Sequence, residues 1–215
     1  LLQLHNKPIP TTVQTNTLKV TADELERELS AVSVEKHPWL DGCFSISSTG
    51  NLAELPAFVK GHCMVQDPAA HLVVSAAQPH PQDKIMDVCA APGGKSFAAA
   101  IAQGDQGEIL SCDVHPHKLQ LIEKGAQRLG ITSIRTALAD GREAHNAWLE
   151  SADIVLADVP CSGIGIIRKK PDIRYKNPKE LLELPQIQSD ILENASAYVR
   201  PGGVLVYSTC TLLPE

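Results

Sequence analysis

The chain has 215 residues, 43% of them hydrophobic, and a formal net charge of -6. That is enough apolar material for one large domain, or for a domain with a small appendage, each with a buried core. The negative balance argues against a surface that grips nucleic acid indiscriminately, which needs many basic groups, and no run approaches the ~20 apolar residues of a membrane helix.

Residues 1–75 predict a small α+β lobe. VQTNTLKVTADELEREL offers a strand, then Thr21 and Glu24 in capping-box register, then a helix with Leu25 and Leu29 on one face. Shorter elements follow. The stretch from Gly42 to Gly50 is rich in breakers, and PHPQD at 79–83 joins the lobe to the rest.

From residue 84 onward, apolar runs alternate with helical patterns, the signature of an α/β fold with a Rossmann-like parallel sheet and helices on both faces, here over 76–215. KIMDVC (84–89), EILSCD (108–113), SIRTALAD (133–140), DIVLAD (153–158) and GVLVYSTC (203–210) read as five strands. Helices fit between them: GKSFAAAIAQ closed by Gly104, PHKLQLIEKGAQRLG with Pro116 in its first turn and Gly130 as C-cap, and a short one at REAHNAWLE. The last lies within PKELLELPQIQSDILENASAYV, where Pro185 must start a helix or kink one.

The strand ends carry Cys89, Asp113, Asp140, Asp158 and Cys210. In an open parallel sheet, ligands bind beyond the carboxyl ends of the strands, so these groups converge on one crevice. Each aspartate alone serves equally well as a helix cap or turn residue. Their repetition at one topological place favours a site.

Between the first of these strands and its helix lies CAAPGGKS, Cys89 to Ser96. Its glycines allow close backbone approach, and the helix start offers free N–H groups. A phosphate-binding P-loop matches at Gly94, Lys95 and Ser96 but has Cys89 where its leading glycine belongs, and Pro92 removes an N–H donor. An NTPase is therefore the rival to a nucleoside site. Asp113, ~20 residues past the loop, suits ribose hydroxyls, and Asp140 suits an adenine amino group. S-adenosylmethionine is such a ligand.

Six cysteines, at 43, 63, 89, 112, 161 and 210, form neither close C-x-x-C pairs nor a dense disulfide framework, so reduced thiols and no metal are expected. No charged-then-apolar leader is present, which makes the expected address cytoplasmic, with no membrane and no obligate protein partner legible. IIRKKPDIRYKNPK (166–179) sets Arg168, Lys169, Lys170, Arg174, Lys176 and Lys179 against a lone Asp172. Such a run is either a solvated loop or a nucleic-acid strip.

DVCAAPGGK (87–95), the acids at 113 and 140, DVPCSG (158–163), RKKPDIRY (168–175) and STCT (208–211) together resemble the bacterial ribosomal RNA cytosine-5 methyltransferases of the Sun type. QTNTLKVT and MVQDPAAHLV look like that family's N-terminal lobe and lead-in helix. The resemblance covers nearly the whole chain. It implies the Rossmann-like methyltransferase fold, S-adenosylmethionine bound by Cys89, Ala90, Ala91, Pro92, Gly93, Gly94, Lys95, Asp113, Lys118, Asp140 and Asp158, and ribosomal RNA as partner. It further implies that the sheet continues past Glu215 and that longer members begin with a helical RNA-binding domain, so the chain reads as a fragment.

The chemistry fits two thiols and an acid. Carbon 5 of cytosine becomes nucleophilic once a thiolate adds to carbon 6, and an acid such as Asp158 then meets charge building on nitrogen 3. Nearby positive charge, for which Lys95 is a candidate, favours the thiolate. By resemblance Cys210 is the nucleophile and Cys161 assists release. The residues alone leave that order open, and a buried small hydrophobe is the bland alternative for either thiol. Arg168, Lys169, Lys170 and Arg174 would hold flanking phosphates of an unpaired or flipped target. The lobe's scarcity of aromatics argues against base stacking as its main device. A fragment that binds the cofactor without turnover is a further reading.

Overall fold

The computed structural model describes residues 9–47 and 50–211. Its first unit is a four-stranded antiparallel sheet built from β1 (Thr11–Thr15), β2 (Ser33–Lys36), β3 (Cys43–Ser47) and β4 (Cys63–Val65), in the order β2-β3-β1-β4. Helix α1 (Ala22–Glu28) follows β1, and its capping box has the Thr21 side chain bonded to the Glu24 N–H and the Glu24 carboxylate to the Thr21 N–H. Leu25 and Leu29 are fully buried against Val13, Phe44 and Ile46. The breaker-rich Gly42–Gly50 region contains β3, because Cys43, Phe44 and Ile46 gain burial and pairing on both sides, which outweighs the flanking turn residues.

The short α2 (Pro56–Val59) precedes β4, and α3 (Pro68–Ala77) runs across the 75/76 boundary expected between the units. Val74 and Ala77 of α3 belong to the core beneath the second sheet. That sheet is parallel: β5 (Lys84–Asp87), β6 (Glu108–Asp113), β7 (Ile134–Leu138), β8 (Ala152–Asp158) and β9 (Val199–Ser208), in the order β7-β6-β5-β8-β9. Helices α4 (Gly94–Ala102) and α5 (Pro116–Leu129) join α3 on one face, over Ile85, Ile109 and Leu156. After the single-turn α6 (Pro178–Leu181), α7 (Leu184–Tyr198) lays Ile191, Ala195 and Tyr198 on Met86, Val155 and Ala157 of the other face. Pro185 sits in the first turn of α7, where its missing N–H costs nothing.

One expected helix is absent. REAHNAWLE forms only a 3₁₀ turn at Asn146–Trp148, since its few apolar residues make no continuous stripe. Trp148 packs instead against the rings of Tyr198 and His145. Among the described residues no helix is long and apolar enough to cross a membrane.

The two units are joined through main-chain carbonyls. Asn16, wholly buried, donates from Nδ2 to Gly61 O and Leu129 O, both at 2.8 Å. Lys19 Nζ donates to Lys60 O and Arg128 O, while Arg128 reaches back to Phe58 O and Cys63 O and lies 3.9 Å over the Phe58 ring. Gly61 has φ +72°, and a Cβ there would lie 2.0 Å from Arg128 O. Replacing Asn16 with Ala strands two buried acceptors, so the Asn16→Ala variant is expected to lose about 3 kcal/mol of stability. Urea unfolding of the two proteins measures it, and a loss within error of zero contradicts this account of the joint.

Candidate active site

Two strands in register deliver the reactive groups. Asp158 of β8 pairs opposite Ser208 of β9, so the segments that follow leave the sheet side by side. Ser208 Oγ donates to Asp158 Oδ1 at 2.8 Å, and Lys95 Nζ holds Oδ2 at 2.5 Å. Lys95 is thus engaged with the carboxylate that was expected to act beside it. Just beyond, the sulfurs of Cys161 and Cys210 lie 3.1 Å apart although 49 positions separate them in the chain. The Cys210 N–H also donates to Cys161 Sγ at 3.2 Å. The hydrogen bond to Cys161 raises the Cys210 thiol above its ordinary range, and burial and the Asp158 charge act in the same direction. The Cys210 thiol therefore holds its proton more tightly than a free cysteine, in a sulfur–sulfur hydrogen bond in which either thiol can donate.

The loop between β5 and α4 forms the neighbouring wall. Gly93 caps α4 at φ +106°, and a Cβ there would stand 2.5 Å from Phe97 Cζ, so only glycine fits. Beneath the loop, Ser96 Oγ donates to the buried Asp87 carboxylate at 2.7 Å, and Ser111 Oγ donates to Ser96 Oγ at 2.8 Å. Burial pushes the Asp87 carboxyl up to about 6, with the Ser96 bond and the Lys95 charge opposing it. Gln66, from the end of β4, donates to Gly94 O at 2.9 Å and ties the lobe to this loop.

Two cavities open here. One, of about 270 Å³, is lined by Cys89, Ala91, Asp113, His115, Lys118 and Asp158, with Val114 and Pro160 among its apolar walls. The other, of about 200 Å³, shares Cys89, Ala91 and Asp158 and adds Ala90, Pro92, Gly94, Lys95, Gln66 and Asp67. Asp113 accepts the His115 N–H at 2.9 Å, with Lys118 Nζ 3.8 Å away. Burial, with the charges of Asp87, Asp113 and Asp158, pushes the Cys89 thiol up to about 12, so it stays a neutral wall. Cys43, Cys63 and Cys112 are buried and likewise raised, to about 11, 11 and 12.

Asp140 stands apart from both cavities. Arg142 grips it through Nε, at 2.9 and 3.1 Å from its two oxygens, and through Nη2 at 2.5 Å. That bond, with the Arg142 N–H and charge, holds the Asp140 carboxyl below the usual carboxylate range. An adenine amino group reaches Asp140 only by sharing it with this guanidinium.

Arg168, Lys169, Lys170 and Arg174 are exposed on the segment that follows Cys161. Gly165 N–H donates to Cys210 O at 2.9 Å, and Lys176 Nζ to Ser162 O at 3.2 Å, so the segment is fastened over the thiols. Lys169 is ion-paired with Asp67. Sequence reasoning missed Asp87, Gln66, Asp67 and Ser208. Asp87 and Ser208 close apolar strands, a signal that was available; Gln66 and Asp67 are adjacent to the loop only in three dimensions.

The family model for RsmB/F 16S rRNA methyltransferases matches residues 74–215. The chain is 37% identical to the probable ribosomal RNA small subunit methyltransferase B of Bacillus subtilis (strain 168), over 99% of this chain and 48% of that protein. It is 27% identical to a methyltransferase homolog protein from Pyrococcus horikoshii, with a TM-score of 0.85 over 99% of this chain and 68% of that one. The crystal structure of NSun6 from Pyrococcus horikoshii with SFG has the same fold, with a TM-score of 0.87 at 21% identity, over 99% of this chain and 78% of that one. The chain spans about half the length of the curated relative from Bacillus.

The raised Asp87 gives a pH signature. Its folded value of about 6 lies above the ordinary 3.8, so the protonated form is favoured by folding. The associated stability is complete below the unfolded value and is lost as pH rises through about 6. From about pH 4 to about pH 7, the wild type should lose roughly 2 kcal/mol relative to the Asp87→Asn variant. Parallel pH curves for the two proteins in chemical denaturation would contradict it.

Proposed function

Because the chain belongs to the RsmB/F family of 16S rRNA methyltransferases, we propose that it methylates carbon 5 of a cytosine in small-subunit ribosomal RNA, in the cytoplasm, with S-adenosylmethionine as donor. The observation that carries the reading is the pair of sulfurs 3.1 Å apart beside an ion-paired aspartate. A structural protein has no use for such a cluster at the open end of a parallel sheet. The triphosphate-hydrolysing alternative loses its ground: the family is one of methyltransferases, and the lysine of CAAPGGKS is engaged with Asp158.

The larger cavity suits the nucleoside part of the donor. Asp113 accepts from the ribose hydroxyls and Val114 and Pro160 face the base, while Asp140, outside that lining and held by Arg142, meets the adenine amino group only where the base extends beyond the cavity. The NSun6 structure carries the S-adenosylmethionine analogue SFG, which supports this choice. When bound, the donor supplies an electrophilic methyl group.

The chain's own groups do the rest. The Cys210 sulfur bonds to carbon 6 of the cytosine as its proton passes to water, with the Cys161 sulfur 3.1 Å away. Lys95 and Asp158 present a proton to nitrogen 3 as the ring takes up charge. Once carbon 5 carries the methyl group, water removes its proton, the carbon 6–sulfur bond breaks as nitrogen 3 returns its proton to the Asp158–Lys95 pair, and the Cys161 thiol gives a proton to the departing sulfur and regains one from water. Arg168, Lys169, Lys170 and Arg174 hold phosphates around the target, and the lobe up to residue 75 adds RNA surface.

Radiolabelled S-adenosylmethionine and a small-subunit ribosomal RNA fragment test this directly. The wild type should transfer label, Cys210→Ser should lower transfer by at least about a thousandfold, and Cys161→Ser should leave an RNA–protein adduct that survives a denaturing gel. The reverse pattern would exchange the two roles, while donor binding without label transfer would favour a binding-only chain. Asp113→Ala should weaken donor binding by about a hundredfold, as loss of a charged acceptor for two hydroxyls implies. Calorimetric titration reads it, and unchanged affinity would remove Asp113 from the donor site.

A further inference from the structure

A third cleft, of about 290 Å³, lies between the lobe and the basic segment, with Thr12, His37 and Ser45 on one side, Arg168 and Lys169 on the other, and Asp67 between them. Asp67 also lines the smaller active-site cavity beside Lys95 and Asp158. The cleft is therefore the next compartment along from the reacting groups. The segment 166–179 that borders it carries six basic residues against one aspartate. The pairing of Lys169 with Asp67 neutralises the one carboxylate in its lining.

Trp39 adjoins this cleft through His37, which lines it. Its ring centroid is 4.5 Å from that of His37, and 60% of the residue is exposed. The lobe's core does not use it: Phe44 fills that core, and Phe58 lies under Arg128. An indole left in water one ring away from a cleft with basic side chains on its far side is an arrangement with which proteins stack an unpaired base and hold its phosphate.

We propose that Trp39 and this cleft bind the nucleotide adjacent to the target cytosine, with its base stacked on the indole and its phosphate on Arg168. The inference rests on the RNA reading above. The lobe then recognises RNA by stacking after all, through a single exposed ring in place of many aromatics.

The chain has two tryptophans, so a Trp148→Phe background leaves Trp39 as the only indole. Titrating it with a single-stranded RNA of about 12 nucleotides should quench its fluorescence. In the otherwise wild-type protein, Trp39→Ala should weaken the binding of that RNA, followed by anisotropy of a labelled strand, by about tenfold or more. Trp39→Phe should restore most of the affinity, and S-adenosylmethionine binding should be unchanged in both. RNA binding that is indifferent to Trp39→Ala, or an unquenched indole in the RNA complex, overturns the inference and leaves the methyltransferase reading standing. A wild type that binds no RNA overturns both.

Discussion

The site depends on the parallel register between β8 and β9. With Asp158 fixed opposite Ser208, the chain past each strand has only two or three residues in which to diverge, and that brings two cysteines from distant parts of the sequence into sulfur contact. A slip of one residue would turn every side chain of β9 to the opposite face and separate the thiols. Burial enforces the register: Val155, Leu156 and Ala157 are almost wholly enclosed between the helices of the two faces. The hydrophobic core thus sets the spacing of the reactive groups.

Much of this was legible because parallel strands buried on both faces write themselves as apolar runs, and the five runs expected are the five strands found. The capping box at Thr21 and Glu24, the glycine closing α5 and the proline opening α7 are equally local signals, and each appears where its chemistry requires it. The strand at Cys43–Ser47 and the missing helix near Trp148 were not legible. Both are decided by partners far away in sequence: β1 for the strand, and Tyr198 for the tryptophan. In the site, the sequence pointed to the residues that end strands but not to their engagements. That Lys95 meets Asp158 and that Gln66 crosses from the lobe to Gly94 follow from three-dimensional adjacency alone, whereas Arg142 reaches Asp140 from two residues along the chain.

The electrostatics around the loop show a division of labour among acids that look alike in sequence. Asp87 lies buried with one serine donor at 2.7 Å and has its proton affinity raised. Asp158 faces an ammonium group and a hydroxyl, and Asp140 a guanidinium. Asp113 has a backbone donor and, farther off, a lysine. Environment, more than residue type, separates the acid that supports the loop from those that face the crevice.

The joint between the two sheets is made almost wholly from side chains of one unit and main-chain oxygens of the other. Asn16 and Lys19 take hold of α5 by the last carbonyls of its final turn, where the helix dipole welcomes a cation. Those oxygens are present whatever side chains occupy positions 128 and 129. The acceptor half of the joint is consequently insensitive to amino-acid identity, and responsibility for holding the lobe falls on three donors, Asn16, Lys19 and Arg128, and a glycine.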